Sequence, residues 1–195
     1  MAMRDNGTEQ LIKDTAKRIF FAEGKTNATT QDIADAAGVT RTLVNYYFRS
    51  KDVLFKRVFD EAMIDTRNRF DEVLSAPLAF PKKVEKFIDV FYNEALKFPY
   101  KEAFMISEIN SHEFALKQKE APEALKIFLQ DIKKEMDNGT IKKMKPMNFM
   151  LNLFSLMAYP LLTRPLFQRT FELTDTQYET LLKDRKKMIL EILMP

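Results

Sequence analysis

Few residues in this 195-residue sequence are suited to chemistry. The one histidine, His112, follows Glu108 by four positions, so the two share a helix face and form a candidate polar contact for a ligand. A Cys/His or Ser/His/Asp site would have to be built around that histidine alone, and a di-iron bundle needs two Glu-x-x-His pairs. With no cysteine, neither a disulfide nor a thiolate metal site can form. No glycine-rich phosphate loop and no His-Glu-x-x-His is present, so no catalytic residue, metal or cofactor is expected. What is concentrated is positive charge. Arg41, Arg49, Lys51, Lys56 and Arg57 stand close together against one acid, Asp52. The whole chain carries a formal net charge of only +3, so it is this local cluster that suits a polyanion such as nucleic acid.

These residues need helices to position them. Only four glycines occur, and alternating apolar and polar runs are missing, so the fold class is all-α, with about nine helices. Leu11, Ile12, Thr15, Ala16, Ile19 and Phe20 make one stripe of a first helix from Thr8 to Glu23. Thr29 and Asp32 have capping-box spacing for a second helix that runs to Gly38. Thr40 can cap a third over Arg41 to Phe48, and Ser50 a fourth from Lys51 to roughly Ser75. Prolines and the Thr174…Gln177 pair then delimit helices over 81–98, 100–118, 122–137, 146–164 and 174–194. The expected division is a head over residues 1–52 and a helical ligand-binding and dimerisation domain over 53–195, joined without a flexible tether.

Ile33-Ala34-x-x-Ala37-Gly38-Val39-x-x-x-x-Val44-x-x-Tyr47 has the spacing of a tight two-helix unit. Ala34 permits close approach, Gly38 can take positive φ, and Ile33, Val39 and Val44 fill the small core. An ordinary helical hairpin shares that spacing; the context separates the two. The span from Thr8 to Phe55 resembles the tetracycline-repressor (TetR) family through Ala16-x-x-x-Phe20, Thr29-Thr30-x-x-Ile33-Ala34, Ala37-Gly38-Val39-Thr40, Tyr46-Tyr47-Phe48 and Ser50-Lys51-x-x-Leu54. The resemblance implies a three-helix DNA-binding head and a divergent domain that binds ligands and forms a homodimer. By position it implies that Thr30, Gln31, Thr40, Arg41, Thr42, Asn45, Tyr46 and Tyr47 face DNA, with Lys51 on a phosphate. The chemistry agrees: arginine can reach guanine O6 and N7, glutamine and asparagine suit adenine, and helix N-termini suit phosphates. Two departures stand out. Asn45 occupies a place where the family usually has tyrosine, and Thr42 one where it usually has glycine, so Asn45 either reads a base edge or leaves a phosphate contact empty.

The second domain is rich in phenylalanine and methionine, which suits either plain core or an adaptable apolar pocket. Tyr92, Glu108, Asn110, His112, Asn152 and Tyr159 are the polar candidates to orient a small-molecule effector there. Phe149, Leu153 and Leu156 on one late helix, and Tyr178, Leu182, Arg185 and Ile189 on the last, form a stripe near heptad spacing. The resemblance makes that stripe the homodimer interface, although an intramolecular use has the same periodicity. The uncharged run between Lys145 and Arg164 holds Asn148, Asn152, Ser155 and two prolines, so it is expected to be a buried helix and not a membrane span. No secretory signal follows Met1, and a cytoplasmic location is expected. Together these readings point to a regulator of transcription that a small, largely apolar ligand releases from a palindromic operator. The alternative is a helical small-molecule or lipid-binding protein with impaired DNA binding.

Overall fold

A computed structural model of the chain describes residues 6–110 and 122–194. Ten α-helices and no strand occur among them: α1 Asn6–Lys17, α2 Thr30–Ala37, α3 Arg41–Phe48, α4 Lys51–Ser75, α5 Phe80–Lys97, α6 Lys101–Asn110, α7 Glu123–Asp137, α8 Pro146–Leu162, α9 Arg164–Thr170 and α10 Asp175–Leu193. The sequence outlines about nine of these; the tenth is the short α9, which Pro165 starts at its first turn. After Lys17 the first helix widens into a π-helical turn, Arg18–Ala22, in which Ile19, Phe20 and Phe21 are all buried. An α-helix advances about 100° per residue, so three consecutive side chains do not fit one face without such a local change.

Local chemistry sets the head's geometry. The Thr29 hydroxyl accepts from the Asp32 N–H at 3.2 Å while the Asp32 carboxylate accepts the Thr29 N–H at 2.7 Å, which closes the capping box of α2. The Thr29 N–H, together with the Thr29 hydroxyl, which donates to the same carboxylate oxygen at 2.8 Å, holds the Asp32 carboxyl below its ordinary value. Gly38 ends α2 at φ +66°, a left-handed conformation that glycine adopts without Cβ strain. Thr40 and Ser50 cap α3 and α4 through the Leu43 and Val53 amides.

Two apolar cores result. The head's core joins Ile12, Ala16 and Phe20 of α1, Ile33 and Ala34 of α2, Val44 and Phe48 of α3, and Leu54, Val58 and Phe59 of α4. It does not stop at residue 52, because the first turns of α4 belong to it, as do Phe104 and Met105 of α6. The Phe104 ring packs on Phe21 and Phe55 at centroid distances of 5.0 and 4.6 Å. The second core is built from α4, α5, α7, α8 and α10, with Phe80 stacked on Phe128 at 5.7 Å and Phe70 tilted against Phe87 at 4.5 Å.

The turn between α5 and α6 joins the two cores. Tyr100 donates its N–H to the Phe21 carbonyl at 2.9 Å, and its ring lies over Gly24, where a Cβ would come within 2.9 Å of it. On the other side of α6, Lys101 is 1% exposed and its ammonium meets Glu94 of α5 at 3.0 Å. The other Glu94 oxygen accepts from Arg69 of α4 at 2.6 Å. Burial pushes the Glu94 carboxyl up, but Lys101 and Arg69 together outweigh it and hold it below its ordinary value.

Pro160 sits inside α8. It has no N–H to give to the Leu156 carbonyl one turn back. Arg185 of α10 supplies that donor at 2.9 Å, and the Tyr178 hydroxyl donates to the Pro160 carbonyl at 2.5 Å. The last helix thus completes the backbone hydrogen bonding of α8.

Candidate nucleic-acid interface

Helix α3 has two distinct faces. Val44, Tyr47 and Phe48 are buried in the head's core. Arg41, Thr42, Asn45 and Tyr46 are exposed and lie at i, i+1, i+4 and i+5, so they share the opposite face. Tyr46 is 59% exposed, with its ring edge-on to Tyr47 at 5.3 Å. Four of the residues expected to face DNA thus share one open surface of a two-turn helix. Such a surface fits a major groove, with an arginine for guanine and an asparagine for adenine.

The other expected contacts are placed differently. Tyr47 and Thr30 are buried in the head, so the greater part of each side chain serves packing and not a DNA surface. Thr40 is exposed, but its hydroxyl caps α3. Gln31 is exposed with its amide bonded to Asp35 at 2.6 Å. The Lys51 ammonium donates to the Thr26 carbonyl at 3.1 Å, tying α4 to the turn before α2; two further N–H groups remain on it for a phosphate. Arg49, which had been counted only as charge, closes α3 at φ +61°, a conformation uncommon for a residue with a Cβ. Its side chain and those of Lys56 and Arg57 are exposed beside α3 and α4.

The expected effector residues do not converge on one cavity. Tyr92 is buried in the second core with its hydroxyl unpartnered, and burial pushes that phenol up, with the Arg185 guanidinium beside it opposing. Glu108 borders a groove between α6 and the head, together with Tyr100, Ser107, Phe55 and Thr26. Asn110 is exposed, and His112 lies outside the described residues. Asn152 is exposed, with its amide near the Met144 sulfur, and Tyr159 is 58% exposed.

The expected dimer stripe is corrected by burial. Phe149, Leu153, Tyr178, Leu182 and Ile189 all lie inside the subunit's own core. Leu156 is packed against that core, and Arg185 serves the α8 carbonyl. Periodic apolar residues had marked the face that α8 and α10 present to their own subunit. A second apolar set stays open: Met147, Leu151 and Tyr159 on α8, and Leu181, Met188 and Ile192 on α10. Among the described residues, no helix is long and apolar enough to cross a membrane.

Comparison with known proteins places this geometry. Residues 12–58 match the family described as "Bacterial regulatory proteins, tetR family". A stretch of 53 residues is 38% identical to the HTH-type transcriptional regulator AcrR of Shigella flexneri, covering 27% of this chain and 25% of that protein. The chain thus matches about a quarter of the length of that relative. Whole-chain similarity is to solved structures. A TetR-family transcriptional regulator from Haemophilus influenzae superposes with a TM-score of 0.61 at 12% identity, over 100% of both chains. The regulator FadR from Bacillus subtilis, solved in complex with stearoyl-CoA, gives 0.60 at 18% identity over 93% of this chain and 97% of its own. These likenesses extend the shared fold from the head to the entire molecule.

Proposed function

Because its head belongs to the tetR family of bacterial regulatory proteins, we propose that this chain is a homodimeric regulator of transcription that reads a two-fold operator with α3. The observation that carries this reading is the open face of Arg41, Thr42, Asn45 and Tyr46, held on a helix whose other side is locked into the head's core. Arg41 and Asn45 are the base-reading residues, while Lys51 and the capped N-terminus of α4 hold the phosphate backbone.

Dimerisation uses the outer faces of α8 and α10. Met147, Leu151, Tyr159, Leu181, Met188 and Ile192 leave apolar side chains exposed along two adjacent helices, the kind of surface that marks an interaction site. An isologous four-helix seam would cover it. Repression, relieved by a largely apolar effector in the second domain, is the regulatory sense we assign. The FadR structure holds a long acyl thioester in the same fold.

The test is binding to fragments of the DNA upstream of the protein's own gene, titrated over salt. Arg41→Ala costs about 1–3 kcal/mol and relaxes preference at one base position. Lys51→Ala weakens every sequence alike and lowers the salt slope by about one. Equal weakening of specific and random DNA by Arg41→Ala would show that α3 does not read bases.

A further inference from the structure

Between α4, α5 and α6 lies a narrow, partly open recess with room for about one water molecule, walled by Phe70, Val90 and Phe91. Four charged side chains border it, Arg69, Glu94, Lys101 and Glu102. Three of them are mutually paired, since the Glu94 carboxylate takes Lys101 on one oxygen and Arg69 on the other. The fourth, Glu102, has neither a hydrogen bond nor an ion pair among the described residues. Burial raises its carboxyl above the ordinary value against the pull of Lys101, with Glu94 adding to the rise. The Thr66 hydroxyl on the same wall is buried and also has no partner. Glu102 is half-buried, and a partly desolvated carboxylate without a donor weakens a fold at neutral pH; such liabilities concentrate where a ligand supplies what is missing.

We propose that this recess is the polar end of the effector site and takes the primary ammonium group of an amphipathic amine. The inference rests on the effector reading above and names the ligand's chemical class. Three groups offer acceptor oxygens, Thr66, Glu94 and Glu102, and a primary ammonium has three N–H donors. Its head is the size of the water that the recess can hold, whereas a trimethylammonium is not. The rings of Phe70 and Phe91 line the recess, and with Val90 they give the apolar tail its first contacts. The nearby cations do not do this work, because Glu94 already holds both. A ligand drawn to Glu102 would press on α6 two residues before Phe104 enters the head's core.

The experiment uses the full chain and n-hexylammonium as probe, with 1-hexanol, hexanoate and hexyltrimethylammonium as controls. Thermal unfolding and release from an operator fragment are read in parallel. Hexylammonium at about one hundred times its Kd is expected to raise the wild-type Tm by about 5 °C or more and to displace DNA, while the controls do neither. Glu102→Gln is expected to raise the Tm of the free protein and to abolish the hexylammonium shift, and Thr66→Val to reduce that shift. Three outcomes overturn the proposal: no shift with hexylammonium, an equal shift with hexanol or hexyltrimethylammonium, or a shift with hexanoate in its place. An undiminished shift in Glu102→Gln overturns the assignment of the site. Operator binding by the free protein is scored separately. If it fails while the amine shift persists, the regulator reading falls and the amine site stands.

Discussion

Two double variants on α10 carry the same two charges, one residue apart, and should give opposite outcomes. Leu182 and Ile189 are 1% and 0% exposed, whereas Leu181 and Met188 are 47% and 50% exposed. Truncating each inner side chain costs about 2–5 kcal/mol in contacts and cavity. Each introduced carboxylate adds at least a few kcal/mol for burial without a partner. The sum for Leu182→Asp/Ile189→Asp is about 10 kcal/mol, comparable with the whole stability of an ordinary domain. This variant should lose its helical circular dichroism. Leu181→Asp/Met188→Asp touches side chains that are half in water, so the subunit's own stability should change by about 1 kcal/mol or less. A symmetric seam, however, would then hold four uncompensated carboxylates, and sedimentation should show a folded monomer with weak, salt-sensitive DNA binding and no preference for a two-fold site over a half-site. An outer variant that sediments as a dimer refutes the seam. A cooperative, native-like fold in the inner variant refutes the burial on which the contrast is built.

Other outcomes follow from single contacts. Asn45→Tyr should raise affinity for all DNA sequences through a phosphate hydrogen bond and leave the preferred site unchanged; an altered preferred site in a selection experiment would make Asn45 a base reader. Gly24→Ala places a Cβ 2.9 Å from the Tyr100 ring at φ +69°, and should cost about 1–3 kcal/mol in urea unfolding by prising the head from α6. Because the Glu94 carboxyl is held below 4.5, its contribution is present above that pH and is lost as pH falls through its lowered value. Urea midpoints measured down the acid range should therefore fall more steeply for the wild type than for Glu94→Gln/Lys101→Met.

Much of the head could be read directly from residue types, because its elements are set locally. The Thr29 and Asp32 capping box, the Gly38 turn, the Ser50 cap and the full length of α4 all depend on neighbours within a few positions. The face of α3 was legible for the same reason, since Val44 and Phe48 can only turn inward. The second domain was less so. On α10, Leu181 and Leu182 are both leucines, and heptad spacing fits 181 and 188 as well as 182 and 189. Which member of each pair meets its own subunit depends on α5 and α8, far away in sequence. Similarly, Arg185 looked like an interface charge because nothing near it in sequence reveals the carbonyl freed by Pro160. Glu102 gave no signal at all: its lack of a partner arises from where α4 and α5 lie.

The capture of the α8 carbonyls by α10 also bears on the order in which the molecule can become complete during synthesis. Among the described residues the head's core ends at Met105, whereas the carbonyls at 156 and 160 have no side-chain donors until Tyr178 and Arg185 have been made. Eighty residues separate Met105 from Arg185, roughly 4–16 s at typical rates of chain growth. For that interval the nascent chain would carry a finished head on an unfinished body; once α8 ends at Leu162, twenty-three residues remain to Arg185, so the apolar side of α8 is open for roughly 1–5 s of it. The stretch of chain between α8 and Arg185 sets how long the Leu156 carbonyl that Pro160 leaves free waits for its donor.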